Sequence, residues 1–244
     1  MSSSTSLLSP LFVLLSISLF LPLALAAISP IDYLCPSVNF APNSTYSKNL
    51  NLLLSYLDYE TPLTGFSDGS AGSSPNQTYG LALCRGDTNS SFCRACVDQA
   101  SSDIQKLCPY KKEAVVWYEF CELKYSNLNF LGQIDNGDWF YQVNPVESSN
   151  PTYFNQQVIV LLSKLEEEAI VSPKLYADGE LCIGNSTTIY GLVQCTRDLS
   201  CADCKSCLTE AINAVPHLVF GRVGAKVWGG SCNVRYEIYK FYTG

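Results

Sequence analysis

The chain has 244 residues, of which 47% are hydrophobic, and a formal net charge of −7 from 15 basic and 22 acidic side chains. An acidic surface repels phosphate backbones and anionic lipid, so nucleic acid and charge-driven membrane binding are excluded as partners. Twelve cysteines against a single histidine point to an oxidising compartment and to cross-links, not to imidazole chemistry.

Leu7 to Ala26 is an apolar run ending in Ala24-Leu25-Ala26-Ala27, which reads as a cleaved signal peptide over residues 1–27. It carries no charge, so the acidic balance belongs to the mature chain. No later run approaches membrane-spanning length, and the expectation is a secreted, extracellular protein without a membrane anchor. Asn43, Asn76, Asn89 and Asn185 each open an Asn-x-Ser/Thr sequon in a polar stretch, and are expected glycosylation acceptors.

In chain order, Tyr46 to Asp58 sets Leu50, Leu53, Leu54 and Leu57 on one helical face. Phe66 to Gln77, rich in Gly and Ser, reads as a hairpin tip. Tyr79–Cys84 reads as a strand. Ser90 or Ser91 then caps a helix over Phe92 to Leu107, and strands come next over Ala114–Cys121, Lys124–Phe130 and Trp139–Val143. Residues 144–150 form a short polar linker. Beyond it, Tyr153 to Ala169 repeats the first helical rhythm, Thr188–Cys195 the strand, Asp203 to Val215 the second helix, and Ala225–Gly229 and Asn233–Tyr242 the closing strands. Pro216 is expected to end or kink the second of these helices.

A repeat underlies this order. Tyr79-Gly80-Leu81, Cys84, Cys93, Cys96, Trp117, Cys121, Tyr125 and Phe130 return 111 positions later as Tyr190-Gly191-Leu192, Cys195, Cys204, Cys207, Trp228, Cys232, Tyr236 and Phe241. The chain is therefore two copies of one stapled module, residues 28–143 and 151–244. Cys93 and Cys96 lie one helical turn apart, so one reaches back to Cys84 and the other forward to Cys121. That leaves Cys35–Cys108 to tie down the N-terminus. The second copy gives Cys195–Cys204 and Cys207–Cys232, with Val219 at the place of Cys108. The two additional cysteines are expected to pair as Cys182–Cys201. Each loop closure is worth about 2.5 to 4.5 kcal/mol in the chain-entropy model. With His217 alone, no zinc site and no cofactor are expected, and no paired carboxylates, phosphate loop or nucleophile–base pair suggests an enzyme.

The Cys-x8-Cys-x2-Cys pattern, with Tyr-Gly-Leu-Val-Gln-Cys-Thr-x-Asp-Leu at 190–199 and Cys232-Asn-Val-Arg-Tyr-Glu237, resembles the ginkbilobin-like (Gnk-homologous) domain of plants. Two copies behind a signal peptide resemble the cysteine-rich repeat secretory proteins. The resemblance implies an α+β fold, each module a five-stranded antiparallel sheet with two helices on one face, and the bridges above. Single-module ginkbilobin is a mannose-binding antifungal protein that contacts its ligand through an Asn after the first cysteine, an Arg and a Glu. By that likeness the first module has Pro36, Val115 and Ser126 in their places, and the second has Lys226 and Glu237 without an identified Asn. The expected function is thus a non-enzymatic apoplastic binding protein. It recognises mannose-type glycans through Lys226 and Glu237, with Trp228 or Tyr236 as a stacking face, in a defence or stress role. The alternative is a protein-interaction module akin to receptor-like kinase ectodomains, with extracellular plant or pathogen proteins as partners. On that reading Arg235 simply makes Glu237 a surface ion pair. The recurrence of Trp117 and Trp228 is expected from core packing.

Overall fold

The computed structural model describes residues 29–36, 38–135, 137, 139–184 and 187–243. The signal peptide and the sequon at Asn185 lie outside these residues.

Two five-stranded antiparallel sheets follow one another. The first module runs β1 (Asp32–Leu34), α1 (Thr45–Thr64), β2 (Phe66–Ala71), β3 (Thr78–Cys84), α2 (Ser90–Leu107), β4 (Ala114–Trp117) and β5 (Cys121–Ser126), with strand order β1-β4-β5-β3-β2. The second runs β6 (Phe140–Val143), α3 (Pro151–Ala169), β7 (Tyr176–Ile183), β8 (Thr187–Cys195), α4 (Cys201–Leu218), β9 (Ala225–Trp228) and β10 (Cys232–Glu237), with the same order, β6-β9-β10-β8-β7.

The apolar rhythms place the helices as expected. Leu50, Leu53, Leu54 and Leu57 of α1 and Phe154, Val158, Leu161, Leu162 and Leu165 of α3 are all buried against their own sheets. The repeated Gly80 and Gly191 make room for this contact. A Cβ at Gly191 would lie 2.9 Å from the side chains of both Leu161 and Leu165, and one at Gly80 3.0 Å from Leu53. Helix ends differ from the expectation in detail. Asn89, not Ser90 or Ser91, caps α2, its side chain accepting from the N–H of Ser91 and Phe92 at 3.0 Å. Pro216 neither stops nor shortens α4. It stands in the last turn of a helix that ends at Leu218, so few residues of the run lie beyond its ring.

Three strand assignments change. Phe66–Gln77 is no loop tip at its start: Phe66–Ala71 forms the edge strand β2, paired with β3 throughout. The expected strand Ala114–Cys121 breaks after Trp117, and Cys121 opens the next strand instead. The strand around Trp139–Val143, expected in the first module, pairs with β9 and belongs to the second sheet. The second module therefore begins ahead of Phe140, and residues 144–150 lead from its first strand into α3.

Five of the six expected bridges close: Cys35–Cys108, Cys84–Cys93, Cys96–Cys121, Cys195–Cys204 and Cys207–Cys232. The sixth does not. Cys182 and Cys201 are exposed free thiols. Cys182 sits opposite Thr188, roughly 23 Å of strand from Cys195, the end where α4 starts with Cys201. The flanking position in sequence is undone by the length of the β7–β8 hairpin.

The helix-free faces of the two sheets meet. In β5, Cys121, Leu123 and Tyr125 join the core under the helices, while Glu122, Lys124 and Ser126 point the other way, yet every residue of the strand is buried. Val115, Trp117 and Trp228 form a separate apolar cluster there, with Phe140 between the indoles at 5.4 and 6.2 Å from their centroids. The repeated tryptophans are thus packed in the contact between modules, not in the core of either one.

Candidate functional site

Sheet register decides what the repeat left open. Leu34 lies opposite Val115 in the first sheet, and Gln142 lies opposite Lys226 in the second. Val115 and Lys226 are equivalent positions of the repeat, so Leu34 matches Gln142, Cys35 matches Val143, and Pro36 matches Asn144. Both ends of the Cys35–Cys108 bridge are replaced together, by Val143 and Val219. The Asn that sequence reading did not identify stands at Asn144. The missing cysteine had removed the landmark for it, and only strand pairing restores it.

Asn144, Lys226 and Glu237 line one concavity of ≈ 310 Å³, together with Gln142, Arg235 and Glu119 of the first module. Each is fixed by main-chain pairing. Asn144 donates its N–H to Gly224 O at 2.8 Å, and its Oδ1 accepts from Val146 N at 3.0 Å. Lys226 is held between Gln142 on β6 and Arg235 on β10. The side chain is half-buried, and desolvation pushes its pKa down to about 8, with Glu119 pulling the other way. Glu237 closes β10 opposite Tyr190. Its Oε1 accepts from Arg235 at 3.3 Å, while Oε2 is buried without a partner. Burial raises its pKa against the pull of Arg235. A Cβ at Gly224 would push the Glu237 carboxylate out of its place, so the glycine lets it sit where it does.

The expected Arg235–Glu237 ion pair exists, but as the end of a longer chain and not as an isolated surface pair. Arg85 binds Asp87 at 2.7 Å and Glu119 at 2.6 Å; Glu119 also binds Arg235, which reaches Glu237. The chain crosses from one module to the other and positions the carboxylate. The expected stacking partners do not serve: Trp228 and Tyr236 are buried, 2% and 1% exposed. Tyr239, half exposed, is the aromatic residue at the cavity. In the first module the same three places hold Pro36, Val115 and Ser126, and Val115 is covered by the module contact. Among the described residues no group of three or more His, Cys, Asp or Glu could hold a metal ion. Of the sequons, Asn43 and Asn89 are exposed and Asn76 is half-buried.

Comparison with known proteins bears on this geometry. The family model described as salt stress response/antifungal matches residues 34–128 and 142–239, one match per sheet. The chain belongs to that family. An antimicrobial ginkbilobin-2-like protein of Castanea crenata is 46% identical over 239 residues, covering 98% of both chains. Cysteine-rich repeat secretory protein 38 of Arabidopsis thaliana is 47% identical over 205 residues, 83% of this chain and 81% of its own. Among solved structures, the tandem DUF26 ectodomain of the Arabidopsis thaliana cysteine-rich receptor-like protein PDLP8 superposes with a TM-score of 0.78 at 27% identity, covering 87% of this chain and all of that one. The family's second match thus starts at Gln142, within β6, in agreement with the strand pairing. Among the described residues no helix is long and apolar enough to cross a membrane.

Proposed function

We propose that the chain is a secreted, non-enzymatic binding protein that recognises mannose-type glycans through its second module, in a defence or stress setting. The observation that carries this reading is the register that brings Asn144 to the free edge of the cavity holding Lys226 and Glu237. An amide, an ammonium and a carboxylate lining one cavity are the kinds of group that hydrogen-bond vicinal sugar hydroxyls. The names of its relatives, antimicrobial and secretory, support the compartment and the setting. Lys226 presents a point charge where the resemblance implied an arginine, so the two-pronged hydrogen bond of a guanidinium is absent and affinity should be modest. Calorimetric titration of enzymatically deglycosylated protein with a mannose oligosaccharide tests it. Binding is expected, weakened at least about tenfold in Glu237→Gln, the loss of one charged hydrogen bond. No heat from the unaltered protein would remove the proposal.

A second reading has its own observation. Leu52, Tyr56, Tyr59 and Leu63 form an exposed stripe along α1, at helical spacing, opposite its buried face. The matching residues of the second module are Val160, Lys164 and Glu167 of α3 and Val171 beyond its end, where Lys164 pairs with Glu168 and Lys205 with Glu167. A stripe that is apolar throughout in one copy and interrupted by two charges in the other suits a protein partner of the first module. Affinity capture from cell-wall fluid should retain a protein that Leu52→Glu/Leu63→Glu loses; glycans alone in the eluate would count against this reading.

A further inference from the structure

On another side of the module contact lies a second concavity, ≈ 280 Å³, walled by Arg85, Thr88 and Ser90 of the first module and Lys174, Gln194 and Arg197 of the second. Its charge is unlike that of the chain as a whole. The protein has a net charge of −7, yet three cations and no carboxylate line this space. Arg85 is already neutralised by Asp87 and Glu119. Lys174 and Arg197 are not: among the described residues neither forms an ion pair, and each donates only to a backbone carbonyl, Lys174 to Gly86 O and Arg197 to Thr64 O, both at 2.8 Å. One donor of each is used and the remaining N–H groups stay free. Both bonds run from the second module to the first, so the two charges, though open to solvent, are tethered at the junction.

The floor is built from buried contacts. Gln194 donates to Cys84 O at 3.0 Å across the modules, and the Tyr176 ring fills the place where a Cβ on Gly86 would stand. Thr88 Oγ1, which lies in this wall, is buried without a hydrogen-bond partner. Two unneutralised cations around a preformed cavity are complementary to a compact oxyanion.

We propose that this junction cavity binds a small anion through a carboxylate or phosphate group, with Lys174 and Arg197 as its charge partners. The site is separate from the Asn144–Lys226–Glu237 cavity and stands or falls without it. Glucuronate, glucose and inorganic phosphate, titrated into isotope-labelled protein, test the idea through the amide shifts of residues 84–90, 174 and 197. Glucuronate or phosphate, but not glucose, should saturate these shifts, and added salt should weaken the binding. Saturation by glucuronate alone assigns a uronic acid, and by phosphate alone a phosphate group. Lys174→Gln/Arg197→Gln, two changes at the cavity mouth whose folding is checked by thermal melting, should weaken binding more than about tenfold. Asn144→Ala, which has no link to Arg85, should leave it unchanged. Shifts from neither anion, equal shifts from glucose, or undiminished binding in the Lys174/Arg197 double variant would each overturn the assignment.

Discussion

The two modules share a fold, a strand order and two disulfides each, but they use the same three positions differently. In the first, Pro36, Val115 and Ser126 are apolar or small, and Val115 is packed under the partner sheet with Trp117 and Trp228. In the second, Asn144, Lys226 and Glu237 keep their polar groups around a cavity that stays open at the rim of the contact. Both copies give their helix-free faces to the contact, but only the second keeps polar side chains at all three positions, along its rim. The cross-link has been traded in the opposite sense: the first module keeps Cys35–Cys108, and the second has Val143 and Val219 in their places.

That exchange yields the largest expected effect. The Cys35–Cys108 bridge spans a sequence separation of 73, and removing it as Cys35→Ser/Cys108→Ser should cost the first module about 4 kcal/mol in the chain-entropy model. Guanidinium titration followed by hydrogen exchange should show β1 and α1 losing protection while the second module keeps its own. Equal loss in both modules would mean that they unfold as one cooperative unit and that the comparison by module fails.

Breaking the contact itself comes next. Trp117→Ala removes the indole that packs on Phe140 and, through it, Trp228, and should cost about 3 kcal/mol, the lower end for deleting a buried aromatic because the site lies between bodies and not within one. The outcome that sharpens the comparison is undocking without unfolding. Far-ultraviolet circular dichroism should be preserved, X-ray scattering should show expansion, and Glu122, Lys124 and Ser126 should become accessible. Loss of helix signal would assign Trp117 to the core of its module instead.

Much of this was legible in the chain, for reasons of range. The helices show because burial recurs within one or two turns, and four bridges show because Cys-x8-Cys-x2-Cys fixes two thiols on one helical face. What failed was information carried across the fold. β2 is Gly- and Ser-rich and resembles a turn, yet its backbone is held by pairing with β3 and its Gly69 admits the Tyr56 ring. β6 has no local mark of which sheet it joins. Asn144 is readable only from its strand partner, and Cys182 and Cys201 are close in sequence but separated by a strand. The role of Trp117 and Trp228 depends on how the modules dock, which no single-module pattern encodes.

The smallest effect concerns two charges that each occur in only one copy. Glu122 has Asn233 at its equivalent position, and Lys226 has Val115. Both lie along the buried contact with Trp117 and Trp228. Burial pushes the Glu122 carboxyl up from 4.5 to about 8, partly opposed by Lys124. A carboxyl that holds its proton more tightly when folded contributes stability that is complete below pH 4.5 and is lost as pH rises through 8. Lys226, pushed down from 10.5 to about 8, behaves conversely: its contribution is complete above pH 10.5 and is lost as pH falls toward 8. Each slope is at most about 1.4 kcal/mol per pH unit, and the attraction between the two charges flattens both. Together they place a minimum of stability near pH 8, with recovery on either side. Glu122→Gln should remove the decline on the acid side and leave the alkaline recovery, and Lys226→Met should do the reverse. Denaturation midpoints measured across this range would break the assignment if either variant kept both slopes, because the charges that set them would then lie elsewhere than between the modules.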